Sequence, residues 1–367
     1  MVSTYVPIAS ESCCLFRDIL TARRLLMNLR LIIVMRSRIP ICAALILSTA
    51  SFALSQKKPE PPPKNAPKAT LVRNANLYVQ PDASADRVAV ITPGREMVIA
   101  ERSGHWLRVF ANIDAPESRK ADQPVLEQGQ EVIPISGWML DKGVIDSTTP
   151  HGDAILFGEA ISAEDAASEL HPPPGAALEA RLLYRRVFEM FPQSPIAPEA
   201  MWRAADVRWQ LQRADAAQLP SAHEKENYLR EQMDEDEMKK IEKNYPHTKW
   251  ADFAAYELID NKLCGDWQGS EKCPEKEAEM YLKYVSEHPD SPRAPEALYK
   301  AAWRMASAGD MWSADNDDHR AQSDRARAAD IANQLQSKYP QSEYADRSAS
   351  LIYKVQQGIP IYGSDRQ

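Results

Sequence analysis

Two of the five cysteines in this chain of 367 residues, Cys264 and Cys273, lie in its second half. They are nine residues apart and flank a segment that contains Gly265 and Gly269. In an exported protein, two cysteines at this spacing predict a local disulfide, and the alternative is a pair of free thiols. A nucleophilic role for Cys264 is disfavoured, because Cys273 shares its loop and no pattern of a partnering histidine follows.

The seven histidines and the acidic runs form no recognisable catalytic or metal-binding motif. His223-Glu224 lacks the second histidine, four residues on, that the zinc-protease motif requires. Asp315, Asp317 and Asp318 form an acidic run without the glycine that completes a calcium-binding loop, which favours a solvated loop. The sequence therefore predicts no catalytic residue, no metal site and no cofactor.

Aromatic side chains are the remaining candidates for binding. Trp267 and Trp312 fall in predicted loops between helices, where a large apolar ring is harder to explain by core packing. We predict that both residues contact a partner, and the alternative is that they fold back onto the helices. Most of the other tryptophans after residue 200 lie in predicted helices, where packing between hairpins explains them.

The helices around these residues are delimited by a short phrase that occurs four times. Its copies are Phe191-Pro192-Gln193-Ser194, Tyr245-Pro246-His247-Thr248, His288-Pro289-Asp290-Ser291 and Tyr339-Pro340-Gln341-Ser342. Proline lacks an N–H and pushes the preceding residue out of the helical region, so one helix stops at the aromatic residue or histidine. The hydroxyl two residues after the proline can accept an orphan N–H and begin the next helix. The repetition, with an alanine five residues after each proline, predicts stacked helical hairpins, as in a solenoid.

The apolar periodicity predicts an all-α region over 176–357. We place its helices at about 177–191, 195–213, 224–245, 249–263, 275–288, 292–308, 319–339 and 342–356. The phrase resembles the tetratricopeptide-like repeats of periplasmic and outer-membrane assembly factors, in which helices ending in Tyr-Pro-x-Ser precede Ala-rich ones. The prolines are further apart than the usual 34-residue period, which predicts insertions at 214–223, 264–273 and 309–318.

Residues 70–146 carry a different pattern of short β-branched runs separated by turns, which predicts a small all-β barrel. The runs are Leu77-Tyr78-Val79, Val88-Ala89-Val90-Ile91, Met97-Val98-Ile99-Ala100 and Trp106-Leu107-Arg108-Val109-Phe110. With Asn76, Pro81, Gly94, Gly104-His105 and Gly137-Trp138-Met139, these residues resemble a bacterial SH3-like (SH3b) domain. Two features depart from that family: Gln80 replaces a commonly basic residue, and an insertion over 111–135 is longer than the usual hairpin.

The resemblance to SH3b domains implies contact with a cell-envelope component, of which peptidoglycan is the first candidate. Tyr78, Trp106 and Trp138 are the ring-bearing residues that we predict for such contact. For Trp106 and Trp138, however, a place in the core of the barrel is the first expectation, and the edge of a ligand groove is the alternative. SH3b domains often accompany cell-wall peptidases, so an accessory or inactive cell-wall hydrolase is an alternative function.

The first 55 residues are typical of a signal peptide. Arg36 and Arg38 precede an apolar run over 39–47, and small residues follow at a plausible cleavage site. Translation from Met35 is an alternative start, and an uncleaved anchor is an alternative to cleavage. The linker over 56–69 is rich in proline and lysine, which predicts an extended spacer.

The junction over 147–175 is predicted to hold a first helix at 153–170, with Ser162 as an N-cap, and 358–367 form a tail. Beyond residue 55 the net charge is −12, because the first 55 residues hold six basic and two acidic side chains. That sign disfavours nucleic-acid binding. We predict a non-enzymatic periplasmic or otherwise extracytoplasmic scaffold without a membrane span once cleaved, whose repeats bind a protein or peptide. A purely structural spacer is the third possibility.

Overall fold

The computed structural model describes residues 61–63, 65–114, 134–267 and 270–362. The predicted signal peptide over 1–55, part of the linker over 56–69 and most of the insertion over 111–135 lie outside the described residues. The described residues all belong to the compact unit Pro61–Gln367. Along the chain, a β-sheet region precedes a helical region.

The sheet region contains seven described strands. They are β1 (Lys68–Leu71), β2 (Ala75–Tyr78), β3 (Arg87–Ile91), β4 (Met97–Ser103), β5 (Trp106–Ala111), β6 (Ile135–Leu140) and β7 (Val144–Asp146). They pair antiparallel in the order β3-β2-β6-β5-β4-β1-β7, so that β3 and β7 are the edges. The sequence pattern predicted β2 to β6, but β1 and β7 are too short to show a period of their own. The described strands form an antiparallel sheet, and no pairing among them joins the two edges.

The helical region contains nine described α-helices. They are α1 (Gly152–Ala167), α2 (Ala176–Met190), α3 (Ala197–Ala217), α4 (Asp236–Asn244), α5 (Lys249–Glu257), α6 (Lys272–Glu287), α7 (Ala294–Ala314), α8 (Asp318–Lys338) and α9 (Glu343–Gln356). Four consecutive pairs, from α2–α3 to α8–α9, form the hairpins that the repeated phrase predicted. The largest apolar core of the array lies among α5 to α9.

The repeated phrase ends a helix in all four copies as predicted, but its hydroxyl caps the next helix in only two of them. The N-caps of α3 and α7 are Ile196 and Arg293, and neither side chain makes a capping hydrogen bond. The C-cap residues of the helices before it are Phe191, Tyr245, His288 and Tyr339. Thr248 and Ser342 accept hydrogen bonds from the N–H groups of Ala251 and Tyr344, which lie in the first turn of the next helix. Ser194 and Ser291 accept from residues that immediately precede α3 and α7. The alanine that follows each phrase is buried in every hairpin: Ala197, Ala251, Ala294 and Ala345. Small residues at these positions let the second helix approach its neighbours closely.

The helix predicted over 224–245 is wrong in its first half, because only Asp236–Asn244 is α-helical. The buried side chain of Asn261 donates to the carbonyl of Met233 and accepts from its N–H, at 2.9 and 3.0 Å. Gln212 accepts from the N–H of Asp234 in the same way. Side chains from distant elements thus satisfy backbone groups that would otherwise hydrogen-bond within a helix.

Two further predictions about helix ends are wrong. Ser162 is not an N-cap, because α1 starts at Gly152 and the Ser162 hydroxyl bonds to a carbonyl inside that helix. α7 continues through the predicted insertion to Ala314. Gly309 explains that continuation, since a Cβ there would lie 2.8 Å from Arg325 Cγ and 3.0 Å from the Ala321 carbonyl of α8. The close approach of α8 stabilises the longer α7.

The sheet and α2 meet at a buried arginine. Arg186 is 1% exposed and donates to the carbonyl of Gly94 and to the carboxylates of Glu96 and Asp114. Gly94 has φ +75°, and a Cβ there would lie 2.6 Å from that of Leu182. The turn between β3 and β4 therefore requires glycine both for its backbone conformation and for its contact with α2.

Candidate binding site

The most extended candidate for a binding site is a row of aromatic rings and cations that crosses α3, α5, α6 and α7. We call it the aromatic–cation strip; its residues are Trp250, Trp202, Phe253, Arg293, Tyr256, Lys300, Tyr281, Arg304 and Trp267. Trp202 lies 5.4 Å from Trp250 and 5.1 Å from Phe253, centroid to centroid. From Phe253 onward, a cation lies over each successive pair of rings, at 4.7 to 5.9 Å from the ring centroid. The strip is therefore continuous across three hairpins.

The cations of the strip come from the start and one face of α7, at positions 293, 300 and 304. Carboxylates hold them in place: Glu296 binds both Arg293 and Lys300, at 2.6 and 3.0 Å. Arg293 and Lys300 remain 40% and 36% exposed in their side chains. A cation fixed over a ring but open to solvent can bind carboxylates, backbone carbonyls or further rings of a partner.

Buried carboxylates lie beside this surface. Burial, with the nearby carboxylates of Asp260 and Asp206, raises the pKa of Glu257 to about 7. Burial also raises the pKa of Asp206. Arg293 Nη2, 3.9 Å from Glu257 Oε1, acts in the opposite direction. The charge of this part of the surface therefore changes near neutral pH.

The disulfide loop closes one end of the strip. Cys264 and Cys273 are joined, with their Cα atoms 6.0 Å apart. Glu277, buried on α6, accepts hydrogen bonds from the Cys264 N–H and the Trp267 indole, and it pairs with Arg304 Nε at 2.6 Å. The predicted binding residue Trp267 is thus fixed against the array, 5.5 Å from the ring of Trp303.

A cavity of about 360 Å³ lies behind the same loop. Its lining includes Arg213, His223, Arg230, Asp260 and Cys264. The sulfur of Cys264 is bonded to that of Cys273, so it is no nucleophile in this structure. Arg213 bonds to Asp260 at 3.2 Å, which leaves the lining mixed in charge.

Trp312 does not lie in a loop between helices, so the prediction of its position is wrong. The residue lies inside α7, is 8% exposed and donates from its indole to Glu275 at 2.7 Å. Arg320 of α8 covers its ring at 4.5 Å. Because α7 extends to Ala314, Trp312 packs against neighbouring helices instead of lying in a loop. Its ring therefore offers little surface to a partner.

The sheet brings Tyr78, Trp106 and Trp138 together. Tyr78 is the cross-strand partner of Trp138 and lies 5.7 Å from the ring of Trp106. All three are half-buried on the face opposite the core, since their neighbours Leu77, Leu107 and Met139 point inward. The expected core packing of the two tryptophans is therefore wrong. We call this surface the sheet face.

Sequence reasoning identified one member of the strip, Trp267, and missed the others. The three cations were not singled out, because a charged residue on a helix is usually solvated. Glu296 and Lys300 are four residues apart and could have indicated a fixed pair. The rings beneath the cations come from α5 and α6, and nothing in the local sequence indicates that neighbourhood.

No protein-family model matches the chain, and no curated protein matches it. Among solved structures, the crystal structure of the de novo designed helical repeat protein DHR64 is similar at 15% identity and a TM-score of 0.20. The match covers 56% of this chain and 94% of the designed one. A TM-score this low carries no argument. The class of protein, an antiparallel sheet followed by a helical repeat-like array, rests on the described elements.

The described residues were also compared with what a membrane span and a metal site require. None of the helices in the described ranges is both long and apolar enough to cross a membrane. In the same ranges, His, Cys, Asp and Glu side chains form no group of three or more that could hold a metal ion.

Proposed function

We propose that this protein is a non-enzymatic binding scaffold of the cell envelope, whose helical array binds a protein or peptide through the aromatic–cation strip. The continuity of the strip carries this proposal. Arg293 and Lys300, 40% and 36% exposed, lie over the buried rings of Tyr256 and Tyr281. Such cations can bind a partner without a nucleophile or an acid–base pair. A surface that crosses three hairpins fits an extended ligand, as solenoids commonly bind.

In the same proposal, the sheet is an SH3-like barrel and its face contacts a cell-wall component such as peptidoglycan. The cluster of Tyr78, Trp106 and Trp138 supports this part, because exposed rings on adjacent strands can stack on a glycan or peptide. Export by the predicted signal peptide places the protein outside the cytoplasm. The array is interpreted as a set of tetratricopeptide-like hairpins with insertions.

A peptide-library selection tests the role of the strip. Lys300→Glu reverses one strip cation, and we expect peptides selected on the natural chain to lose at least about tenfold in affinity. Lys283→Glu makes the same charge change on an exposed part of α6 and should leave binding unchanged. Equal loss in both variants, or no selected peptide at all, would contradict the proposal.

Sedimentation with purified peptidoglycan tests the sheet face. We expect the natural chain to sediment with the polymer and Trp138→Ala to remain in solution. Tyr353→Ala, which removes an exposed ring of α9, is the matched control. Release of soluble fragments from the polymer would favour the hydrolase alternative instead.

A further inference from the structure

The segment over 358–362 folds back onto the array at the Trp267 end of the strip. After α9, Gly358 turns the chain with φ +65°, and Pro360 restricts the backbone of Ile359 before it. Ile361 is 3% exposed within the largest core of the array. By contrast, Ile359 is 44% exposed. The segment is therefore held by its last two described residues.

Asp310 binds the backbone of this segment. One oxygen of its carboxylate accepts from the N–H groups of Ile361 and Tyr362, at 2.5 and 3.2 Å. The other oxygen pairs with Arg325 at 3.0 Å, and the Asp310 side chain is 13% exposed. Two consecutive N–H groups point at one oxygen only where the chain turns, so this carboxylate recognises a turned backbone without regard to its side chains.

The side chains of the segment add selectivity. The ring of Tyr362 stacks on Trp267 at 6.3 Å with an interplanar angle of 17°, and Ile361 fills the apolar position beside it. Trp267 belongs to the strip, so the segment occupies the end of the surface that we propose for ligands. Backbone capture, an aliphatic anchor and an aromatic stack are contacts with which proteins bind short peptides.

We propose that the segment over 358–362 is an internal occupant of a peptide site formed by Asp310, Trp267 and the core around Ile361. The site takes a partner peptide with a turned backbone, in which an aliphatic residue precedes an aromatic one. This inference rests on the proposed function and adds its partner class and its regulation. Because the tethered segment is present at a high effective concentration, a partner must displace it to bind.

The test uses the full chain with a protease recognition sequence inserted after Gln357. The protein is folded, cut and freed of the released segment, and the probe is a labelled synthetic peptide with the sequence of residues 357–363. We expect the cut chain to bind the probe at least about tenfold more tightly than the uncut chain, by fluorescence anisotropy. Asp310→Asn should weaken binding to the cut chain, and a probe with alanine in place of Ile361 and Tyr362 should not bind.

A second variant avoids the inserted sequence. Replacing Ile361 and Tyr362 by alanine in the uncut chain weakens the internal occupant, so this variant should also bind the natural probe more tightly. A cut chain that keeps its helical circular dichroism but fails to bind the probe would overturn the inference, as would equal binding by cut and uncut chains. If library peptides still respond to Lys300→Glu in that case, the proposed function stands and only the internal-occupant inference fails.

Discussion

Two hairpins of the array are built on the same repeated unit. The hairpin α2–α3, which we call the sheet-side hairpin, and α6–α7, the loop-side hairpin, both carry a Ser-Pro-x-Ala-Pro-Glu-Ala sequence at the turn. In each, the glutamate pairs with a cation four residues on, as Glu199 with Arg203 and Glu296 with Lys300, both at 3.0 Å. In each, that cation lies within 6 Å of the ring of a tyrosine on the preceding helix.

The two hairpins differ in the groups around the repeated unit. Arg186 of α2 is buried against the sheet, whereas Lys283 at the equivalent position of α6 is exposed. On α6, Glu277 is buried and binds the disulfide loop, whereas Ala180 stands at the equivalent position of α2. The repeated residues thus fix the hairpin, and the substituted ones decide whether it supports the sheet or the strip.

Arg186→Ala should lower the stability of the protein more than any other change considered, because it removes the hydrogen bonds and ion pairs that join α2 to the sheet. The change leaves the largely buried carboxylates of Glu96 and Asp114 without the guanidinium that pairs with them. The free energy of unfolding should therefore fall by about 3–5 kcal/mol. Lys283→Ala, the equivalent change in the loop-side hairpin, should stay within about 0.5 kcal/mol of the natural chain. Urea unfolding followed by circular dichroism measures both, and similar losses would show that the two positions do not differ as described.

Loss of the disulfide should have the next largest effect and acts on the loop-side hairpin alone. Replacing Cys264 and Cys273 by serine removes a short closed loop and should lower stability by about 2–3 kcal/mol, with the helical spectrum retained. A reducing agent should lower the stability of the natural chain to that of the variant and leave the variant unchanged. If alkylation without reduction modifies both cysteines in the natural protein, this prediction is wrong.

Glu257→Gln tests a further difference between the two hairpins. Arg293 of the loop-side hairpin lies 3.9 Å from Glu257, whereas the equivalent residue of the sheet-side hairpin is Ile196, which carries no charge. Since the pKa of Glu257 is raised to about 7, the folded state holds a proton that the unfolded state releases near pH 4.5. The contribution of Glu257 to the stability of the natural chain should therefore fall as the pH rises from about 4.5 to 7. The variant should be more stable than the natural chain by about 1–2 kcal/mol at pH 8 and about equal to it at pH 4. A difference that does not change with pH between thermal melts at these two values would contradict the assignment.

The smallest effect concerns the two tyrosines beneath the paired cations. The Tyr184 hydroxyl donates to Glu164 Oε2 at 2.5 Å, so Tyr184→Phe should cost about 1 kcal/mol. The Tyr281 hydroxyl has no hydrogen-bond partner among the described residues, and Tyr281→Phe should change stability by less than about 0.5 kcal/mol. The reverse order in thermal unfolding would show that the hydroxyls are used differently from this description.

The sequence by itself determined the features that depend on neighbours along the chain. A proline ends a helix and a hydroxyl begins one through atoms within a few residues, so the phrase predicted where all four hairpins turn. Short β-branched runs between turns predicted β2 to β5 for the same reason, and the resemblance to SH3b domains added the strand at Gly137-Trp138-Met139. Cys264 and Cys273 could be paired from their spacing, because a short loop brings them together whatever surrounds it.

Only the tertiary structure decided the features that need a group from a distant part of the chain. Asn261 keeps the segment before α4 out of a helix, and the approach of α8 at Gly309 lengthens α7 until it includes Trp312. The strip arises in the same way, because cations on α7 cover rings that α5 and α6 supply. Such contacts join residues far apart in sequence, and their energies depend on burial and distance, which no local pattern records.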